Sequence, residues 1–295
     1  MNADSVLKRN NNDLIRIALG DITFAVATDE QQLIKEFKNN FILSSDETTS
    51  HPDLTMQIDY LTAINSRLAR EIQSYAEKGS DYWRNFQLGS GPVKGYYRWT
   101  DNHAHVVLDN GSSHLPASYI FSLLASAYYI LRDKKLNGNA QNNFFLHAAG
   151  LKRNNNGYVF SGPSGSGKTT VSMLSLEDSI VINDECILFE KIDDVYWITN
   201  TPLRSPLHST RTLKTRVKSK FFLTKSDRHE LIRMKGVEAL MKLAQSLYYP
   251  ANFSLDPREA LSERLRLAAD LVEEVPCFEL RFSKDRQFWS EIDKL

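Results

Sequence analysis

The stretch Gly162-Pro163-Ser164-Gly165-Ser166-Gly167-Lys168-Thr169-Thr170 contains the pattern G-x-x-x-x-G-K-[ST], which its first eight residues match at every position. This pattern is the phosphate-binding P-loop, in which glycines let successive backbone N–H groups point at phosphate oxygens. The following helix N-terminus adds a partial positive charge, Lys168 can reach the β- and γ-phosphates, and the Thr169 hydroxyl can ligate Mg²⁺. The stretch therefore predicts a nucleotide site whose members are Gly162, Ser164, Gly165, Ser166, Gly167, Lys168, Thr169 and Thr170.

The residues on either side of this loop predict its structural setting. Residues 157–161 form a short apolar run that is typical of a strand. After the loop, Val171, Leu174 and Leu176 supply the apolar face of a helix of about ten residues. Strand, glycine-rich loop and helix in this order are the context that the motif requires, and a flexible Gly/Ser linker would lack it.

Two adjacent acids follow the loop. The apolar run 180–182 is typical of a buried parallel strand, and it leads into Asp184 and Glu185, the first of them sixteen residues after Lys168. The carboxyl end of such a strand faces the ligand crevice, where a P-loop protein needs an acid near its metal ion. We expect Asp184 to hold Mg²⁺ or to accept the proton of an attacking hydroxyl, and we favour it over Glu185. Two acids in a solvated turn are the alternative.

Cationic side chains near the loop would offset the charge on a transferred phosphoryl group. The segment 201–220 is basic, and its prolines predict a loop near the strand ends. Arg204 and Arg211 are the candidates within it, although a solvated loop or a docking surface for an acidic peptide fits the same composition. His147 ends an apolar run before the loop strand, where it is either catalytic or a structural residue.

Composition limits the classes of protein that fit. Lys plus Arg and Asp plus Glu number 36 each, so the net charge is zero, which argues against a general nucleic-acid binder. Cys186 and Cys277 lie in separate apolar runs and are expected to be buried thiols. The longest apolar stretch, 116–131, is too short to span a bilayer and predicts a core helix. We therefore expect a cytoplasmic protein with no membrane partner.

The N-terminal region predicts a small α+β domain. Its patterns indicate strands at 14–19, 22–27, 54–60, 93–100 and 105–108, with helices at 30–37 and 61–78. Residues 137–139 break the chain before the next apolar strand. The sequence thus predicts an α+β N-terminal domain over 1–138, with a substrate-binding or regulatory role, and a P-loop kinase domain over 139–295.

Three segments together resemble the catalytic domain of HPr kinase/phosphorylase and its smaller relatives: Leu146-His147-Ala148-Ala149-Gly150, the P-loop, and Val181-Ile182-Asn183-Asp184-Glu185. The P-loop is also similar to that of the phosphoenolpyruvate carboxykinases, which share this core fold. The resemblance implies an α/β fold with a P-loop core of the HPr kinase/phosphoenolpyruvate carboxykinase type. It is looser up to about residue 290, where Val275–Phe282 and Phe288-Trp289 look like the closing strand and helix.

The resemblance implies roles for individual residues. His147 matches the family histidine near the phosphates, Lys168 and Thr169 match the P-loop lysine and the Mg²⁺ ligand, and Asp184 matches the first acid, which acts as base. Glu185 stands where HPr kinases have a second Asp. The HPr kinase segment with a metal-binding Glu next to Arg-Gly has no counterpart, so neither phosphorylase activity nor HPr as substrate is implied. Carboxykinase activity is not expected, because the chain is shorter and lacks a Lys/His pair for the second metal.

The expected function is transfer of the ATP γ-phosphate, with Mg²⁺, to a hydroxyl of a peptide, protein or small molecule, with serine favoured. Because relatives often assemble, a homo-oligomer is also expected. A nucleotide sensor or scaffold without catalysis remains an alternative. A GTPase is a weaker one: residues 224–227, Thr-Lys-Ser-Asp, mimic a guanine-reading motif, but Asp184 is not followed by x-x-Gly. An ABC-type ATPase would need a Leu-Ser-Gly-Gly signature, which the sequence lacks.

Overall fold

The computed structural model describes residues 14–44, 51–77, 83–87, 93–109, 115–135, 142–209, 213–248 and 257–295. The described residues fall into two compact units, which divide between residues 140 and 141. One sheet has six strands and the other has ten, eight of them on its main path. The α/β class expected from the sequence is confirmed in this coarse form, with strands predominating over helices.

The first unit contains a mixed sheet with the strand order β1-β2-β3-β6-β5-β4. β2, β3 and β6 are parallel neighbours, whereas β1, β5 and β4 join the sheet through antiparallel pairs. The elements of this unit are β1 (Ile15–Leu19), β2 (Ile22–Ala27), α1 (Gln31–Asn40), β3 (Leu54–Tyr60), α2 (Ser66–Glu77), β4 (Arg84–Gln87), β5 (Lys94–Thr100), β6 (His103–Leu108) and α3 (Ala117–Lys135).

Alternating and continuous apolar patterns account for these elements. In β3, every second residue from Leu54 to Tyr60 is buried, which is the pattern of a strand with one face on the core. α3 is buried along much of its length, including Phe121 and Leu124, as expected for a core helix. No helix in the described part of the chain combines enough length and apolar character to cross a bilayer.

The second unit contains the larger sheet, with the path β10-β8-β9-β13-β12-β11-β7-β15 and with β16 and β14 extending from β13. Its elements are β7 (Phe144–Leu146), β8 (Ala148–Arg153), β9 (Asn156–Ser161), α4 (Lys168–Leu174), β10 (Ile180–Asn183), β11 (Ile187–Ile192), β12 (Val195–Asn200), β13 (Lys214–Lys225), β14 (Glu230–Met234), α5 (Gly236–Ser246), β15 (Leu247–Tyr248), α6 (Pro257–Glu274), β16 (Cys277–Phe282) and α7 (Phe288–Ile292).

The strand directions bring several loops to one edge of this sheet. β13 is parallel to both β9 and β16. β8 lies antiparallel between β9 and β10, so β10 runs in the same direction as β9. The carboxyl ends of β9, β10, β13 and β16 therefore point to the same edge, which is where α/β sheets bind ligands.

Three expectations from the sequence are wrong in detail. β10 lies at the edge of the sheet and its direct neighbour is antiparallel, so the expected parallel pair is absent there; Val181 and Ile182 are buried as expected, whereas Ile180 is exposed. α4 ends at Leu174, short of the expected ten residues, and Leu176 is exposed. The basic segment 201–220 is not one loop, because its second half forms β13 and Lys220 is fully buried there. Cys186 and Cys277 are buried free thiols, as expected.

Candidate functional site

The loop from Gly162 to Gly167 connects β9 to α4, in the order strand, loop, helix. Gly165 and Gly167 have φ values of 76° and 110°, in the left-handed region that favours glycine. A Cβ atom on Gly162 would lie 2.6 Å from the hydroxyl oxygen of Ser166, so the loop closes tightly on itself. The backbone path therefore requires these glycines.

The end of β16 supports the loop from below. A Cβ atom on Gly167 would lie 2.7 Å from Cζ of Phe282, which shows how closely this ring approaches the loop backbone. Phe282 belongs to the same buried apolar cluster as Phe160 of β9 and Val171 of α4. One apolar cluster thus holds the strand, the loop and the helix together.

Lys168, the first residue of α4, folds back over the loop. Its Nζ atom donates hydrogen bonds to the carbonyl oxygens of Gly162, at 3.1 Å, and Pro163, at 3.5 Å. Burial lowers the pKa of Lys168, and the nearby carboxylates of Glu185 and Asp184 oppose that effect. Because both hydrogen-bond acceptors are neutral, an anionic ligand in the loop would be a stronger partner for this ammonium group.

Asp184 follows directly after β10 and is 2% exposed. Its Oδ1 atom accepts a hydrogen bond from the backbone N–H of Leu207, at 3.3 Å. Its Oδ2 atom is buried and has no hydrogen-bond partner among the described residues. A buried carboxylate oxygen is costly unless something pairs with it, so this atom is suited to a cation, a proton or a donor supplied by a ligand.

Asn183 fixes the turn that carries the two acids. Its side-chain oxygen accepts hydrogen bonds from the backbone N–H groups of Glu185, at 2.8 Å, and Cys186, at 3.0 Å, while its Nδ2 donates to the carbonyl of Leu203. Asn183 was not among the residues predicted for the site. The signal was present, since an Asn side chain at a turn commonly binds the backbone N–H two residues further on.

His147 lies between β7 and β8, next to the acids. Its Nδ1 atom is 3.5 Å from Oε1 of Glu185, and both side chains are partly exposed. Burial, followed by the positive charge of Lys168, lowers the pKa of His147, and Glu185 opposes this. His147 is therefore neutral near pH 7. The structure brings four predicted residues together here: His147, Lys168, Asp184 and Glu185.

The other predicted site residues lie in the loop 201–209, in the P-loop, or outside the described residues. Arg204 is exposed in the loop 201–209, between the residues that contact Asn183 and Asp184. Arg211 lies outside the described residues. In the P-loop itself, Ser164 and Thr169 are exposed and Thr170 is partly buried, and the buried Ser166 hydroxyl has no hydrogen-bond partner in the described part of the chain.

The residues present fit Mg²⁺ bound together with a phosphate chain. In the described part of the chain, no group of three or more His, Cys, Asp and Glu side chains could hold a metal by itself. Mg²⁺ commonly binds through one or two protein ligands, substrate phosphates and water. The Oδ2 atom of Asp184 and the exposed hydroxyl of Thr169 supply oxygen ligands of that kind.

Comparison with known proteins places this chain in a family. The family model described as "SynChlorMet cassette protein ScmC" matches residues 118–295, which is more than half of the chain, so the chain belongs to that family. No curated protein matches. Among solved structures, the HPr(Ser) kinase/phosphatase from Coxiella burnetii is similar at 11% identity and a TM-score of 0.25, over 42% of this chain and 87% of that one.

Proposed function

We propose that this member of the ScmC family is an ATP-dependent phosphotransferase. It moves the γ-phosphate to a hydroxyl of a peptide, protein or small molecule, and serine is the favoured acceptor. The observation that carries the proposal is the placement of Asp184. Its buried, unpartnered Oδ2 lies at the sheet edge to which the glycine loop also belongs, close enough to interact with Lys168. Phosphoryl transfer needs a carboxylate and a cation in this relation.

Each residue of the cluster has a role in this reaction. The backbone N–H groups of Gly165 and Gly167 bind phosphate oxygens, and Lys168 neutralises part of their charge. Asp184 and Thr169 would hold Mg²⁺, and the bound ion would offset charge on the phosphate oxygens. The neutral His147 lies next to Lys168, where its ring can donate a hydrogen bond to a phosphate oxygen.

The transfer step exchanges one oxygen on the γ-phosphorus for another. The acceptor oxygen forms a bond to the γ-phosphorus as the bond from that phosphorus to the departing ADP oxygen breaks. The hydroxyl proton passes to Asp184, which is the buried acid of the pair. Glu185 is exposed and 3.5 Å from His147, so it is placed to orient the imidazole. Arg204, in the loop above Asp184, supplies further positive charge.

A sensor or scaffold without catalysis would use the same nucleotide site, and Asp184→Asn separates the two functions. The experiment measures Mg-ATP affinity by calorimetry and phosphorylated acceptor by mass spectrometry. We expect the variant to keep nucleotide affinity within about tenfold and to lose transfer by a factor of at least about a hundred. Asp194→Asn, at an exposed hairpin turn, is the matched control and should behave as the natural protein does.

Three outcomes of this experiment have distinct meanings. Loss of transfer with retained affinity supports the phosphotransferase. Full transfer by Asp184→Asn would overturn the role of Asp184, and nucleotide binding with no transfer by the natural protein would favour the sensor. Competition between ATP and GTP in the same assay tests the GTPase alternative. One observation bears on that alternative. The Thr224 hydroxyl, which belongs to the Thr-Lys-Ser-Asp stretch that mimics a guanine-reading motif, already donates to Glu279 at 2.7 Å.

A further inference from the structure

Lys220 is a fully buried lysine in the middle of β13, with 0% exposure. Lysine is rarely buried completely unless it is paired with an acid. We propose that Lys220 is a positioning residue beneath the phosphate-binding loop, which takes up a proton when a polyphosphate binds there. The inference rests on the proposed nucleotide site and extends it to a residue that does not touch the ligand.

The donors of Lys220 are directed at the root of the loop. Its Nζ atom donates to the hydroxyl oxygen of Ser161 and to the carbonyl of Phe221, at 3.0 Å. It also lies 4.1 Å from the centre of the Phe222 ring, which favours a cation at its face. Ser161 is the last residue of β9, so the next peptide unit begins the phosphate-binding loop.

Two lysines are thereby linked through consecutive residues. Lys220 binds the side chain of Ser161, and Lys168 binds the carbonyl of Gly162. A neutral amine can accept a hydrogen bond from the Ser161 hydroxyl, whereas an ammonium group can only donate a hydrogen bond to the hydroxyl oxygen. The charge of Lys220 therefore sets the orientation of the Ser161 hydroxyl directly below the loop.

The charged groups around Lys220 explain why a ligand would change its protonation. Burial lowers the pKa of Lys220 most strongly, Cys277 on β16 raises it and Lys168 at the start of α4 lowers it, and together they bring it to about 7. Of the other packed elements, α5 brings Lys242 to 6.0 Å from the Phe222 ring centre, and Arg233 of β14 acts on Cys277. The named neighbours are thus cations and one thiol.

A phosphate chain in the loop changes this balance. It adds negative charge and offsets that of Lys168, and both changes favour the protonated form of Lys220. At pH near 7 the group is about half protonated. A rise in its pKa by about one pH unit would take up roughly four-tenths of a proton for each nucleotide bound.

Calorimetry in buffers of different ionisation enthalpy counts the protons exchanged on binding. The titrant is a non-hydrolysable ATP analogue with saturating Mg²⁺, added to the full chain at neutral pH. We expect net proton uptake by the natural protein, a loss of that uptake in Lys220→Met, and unchanged uptake in the control Lys242→Met. Ser161→Ala keeps the buried amine while it removes the link, and should retain uptake but weaken affinity several-fold.

The outcomes separate this inference from the proposed function. Binding with the same proton count in the natural protein and Lys220→Met would overturn the role of Lys220 and leave the nucleotide site standing. Absence of binding by the natural protein would overturn the proposed function itself. If Lys220→Met does not fold, the pH dependence of uptake in the natural protein decides: uptake that does not fall away well below neutral pH would overturn the inference.

Discussion

Replacing the buried Lys220 with methionine should change how the stability of the protein depends on pH. Burial lowers the pKa of this lysine from 10.5 to about 7 in the folded state. Between these values the unfolded chain keeps the proton and the folded protein does not, so the unfolded state binds more protons. The free energy of unfolding of the natural protein therefore rises with pH through this window, and it falls as pH drops towards 7.

The size of the effect follows from the width of the window. One proton changes the free energy of unfolding by about 1.4 kcal/mol for each pH unit, which gives about 4 kcal/mol between about pH 7 and about pH 10. Below the folded-state pKa both states carry the proton, so the dependence levels off. The methionine variant lacks this contribution, and its other titrating groups are shared with the natural protein. As pH rises across the window, the free energy of unfolding of Lys220→Met should therefore fall by about 4 kcal/mol relative to that of the natural protein.

Urea unfolding at several pH values, followed by tryptophan fluorescence, measures this difference. Trp197→Phe identifies the transition of the second unit, because Trp197 lies on β12. Lys242→Met, whose side chain is 39% exposed, is the control and should keep the pH dependence of the natural protein. A stability difference between Lys220→Met and the natural protein that stays constant from about pH 7 to about pH 10 would refute the reasoning.

Three further predictions concern the site itself. Gly167→Ala forces a side chain onto a φ of 110° and against the Phe282 ring, so we expect a melting temperature lower by several degrees and weaker nucleotide binding, read by calorimetry; an unchanged affinity would contradict the role of the loop. Asn183→Ala leaves two backbone N–H groups without their partner, so it should cost about 1–3 kcal/mol in urea unfolding and lower kcat; Asn183→Asp keeps the acceptor but loses the donor to Leu203 and adds a buried charge, so it should recover only part of the stability. The pKa of His147 lies below its ordinary value, and protonation below that pKa keeps the ring as a donor and adds positive charge beside the phosphates; ATP affinity measured by calorimetry should therefore rise on the acid side, and His147→Gln should remove this pH dependence.

The parts of the fold that local patterns determine were predictable. β3 begins and ends at the predicted residues, because its apolar residues alternate without interruption. The strand and helix around the glycine loop were also found, because the glycines mark the connection. The acids were predictable from their position after an apolar run, although that run forms an edge strand with an antiparallel neighbour.

The parts that depend on distant contacts were not predictable. The break at His147 separates β7, which pairs with β11, from β8, which pairs with β9, and no local pattern marks this change of partner. Lys220 reads as one member of a basic segment. Only the pairing of β13 with β9 and β16 on either side places it in the core. Asn183 was overlooked because its importance lies in the turn that it stabilises rather than in any charge.

Transfer of labelled phosphate is the most direct test of whether the protein moves the γ-phosphate of ATP to a hydroxyl. Mg-ATP with a labelled γ-phosphate is incubated with the full chain and with free serine, serine-containing peptides, or a cell extract as acceptor, and mass spectrometry locates the label. We expect label on a hydroxyl with the natural protein and with Asp194→Asn, and no label with Lys168→Ala or Asp184→Asn. Tight binding of Mg-ATP by the natural protein with no labelled hydroxyl in any of these acceptors, or equal labelling by Asp184→Asn, would contradict it.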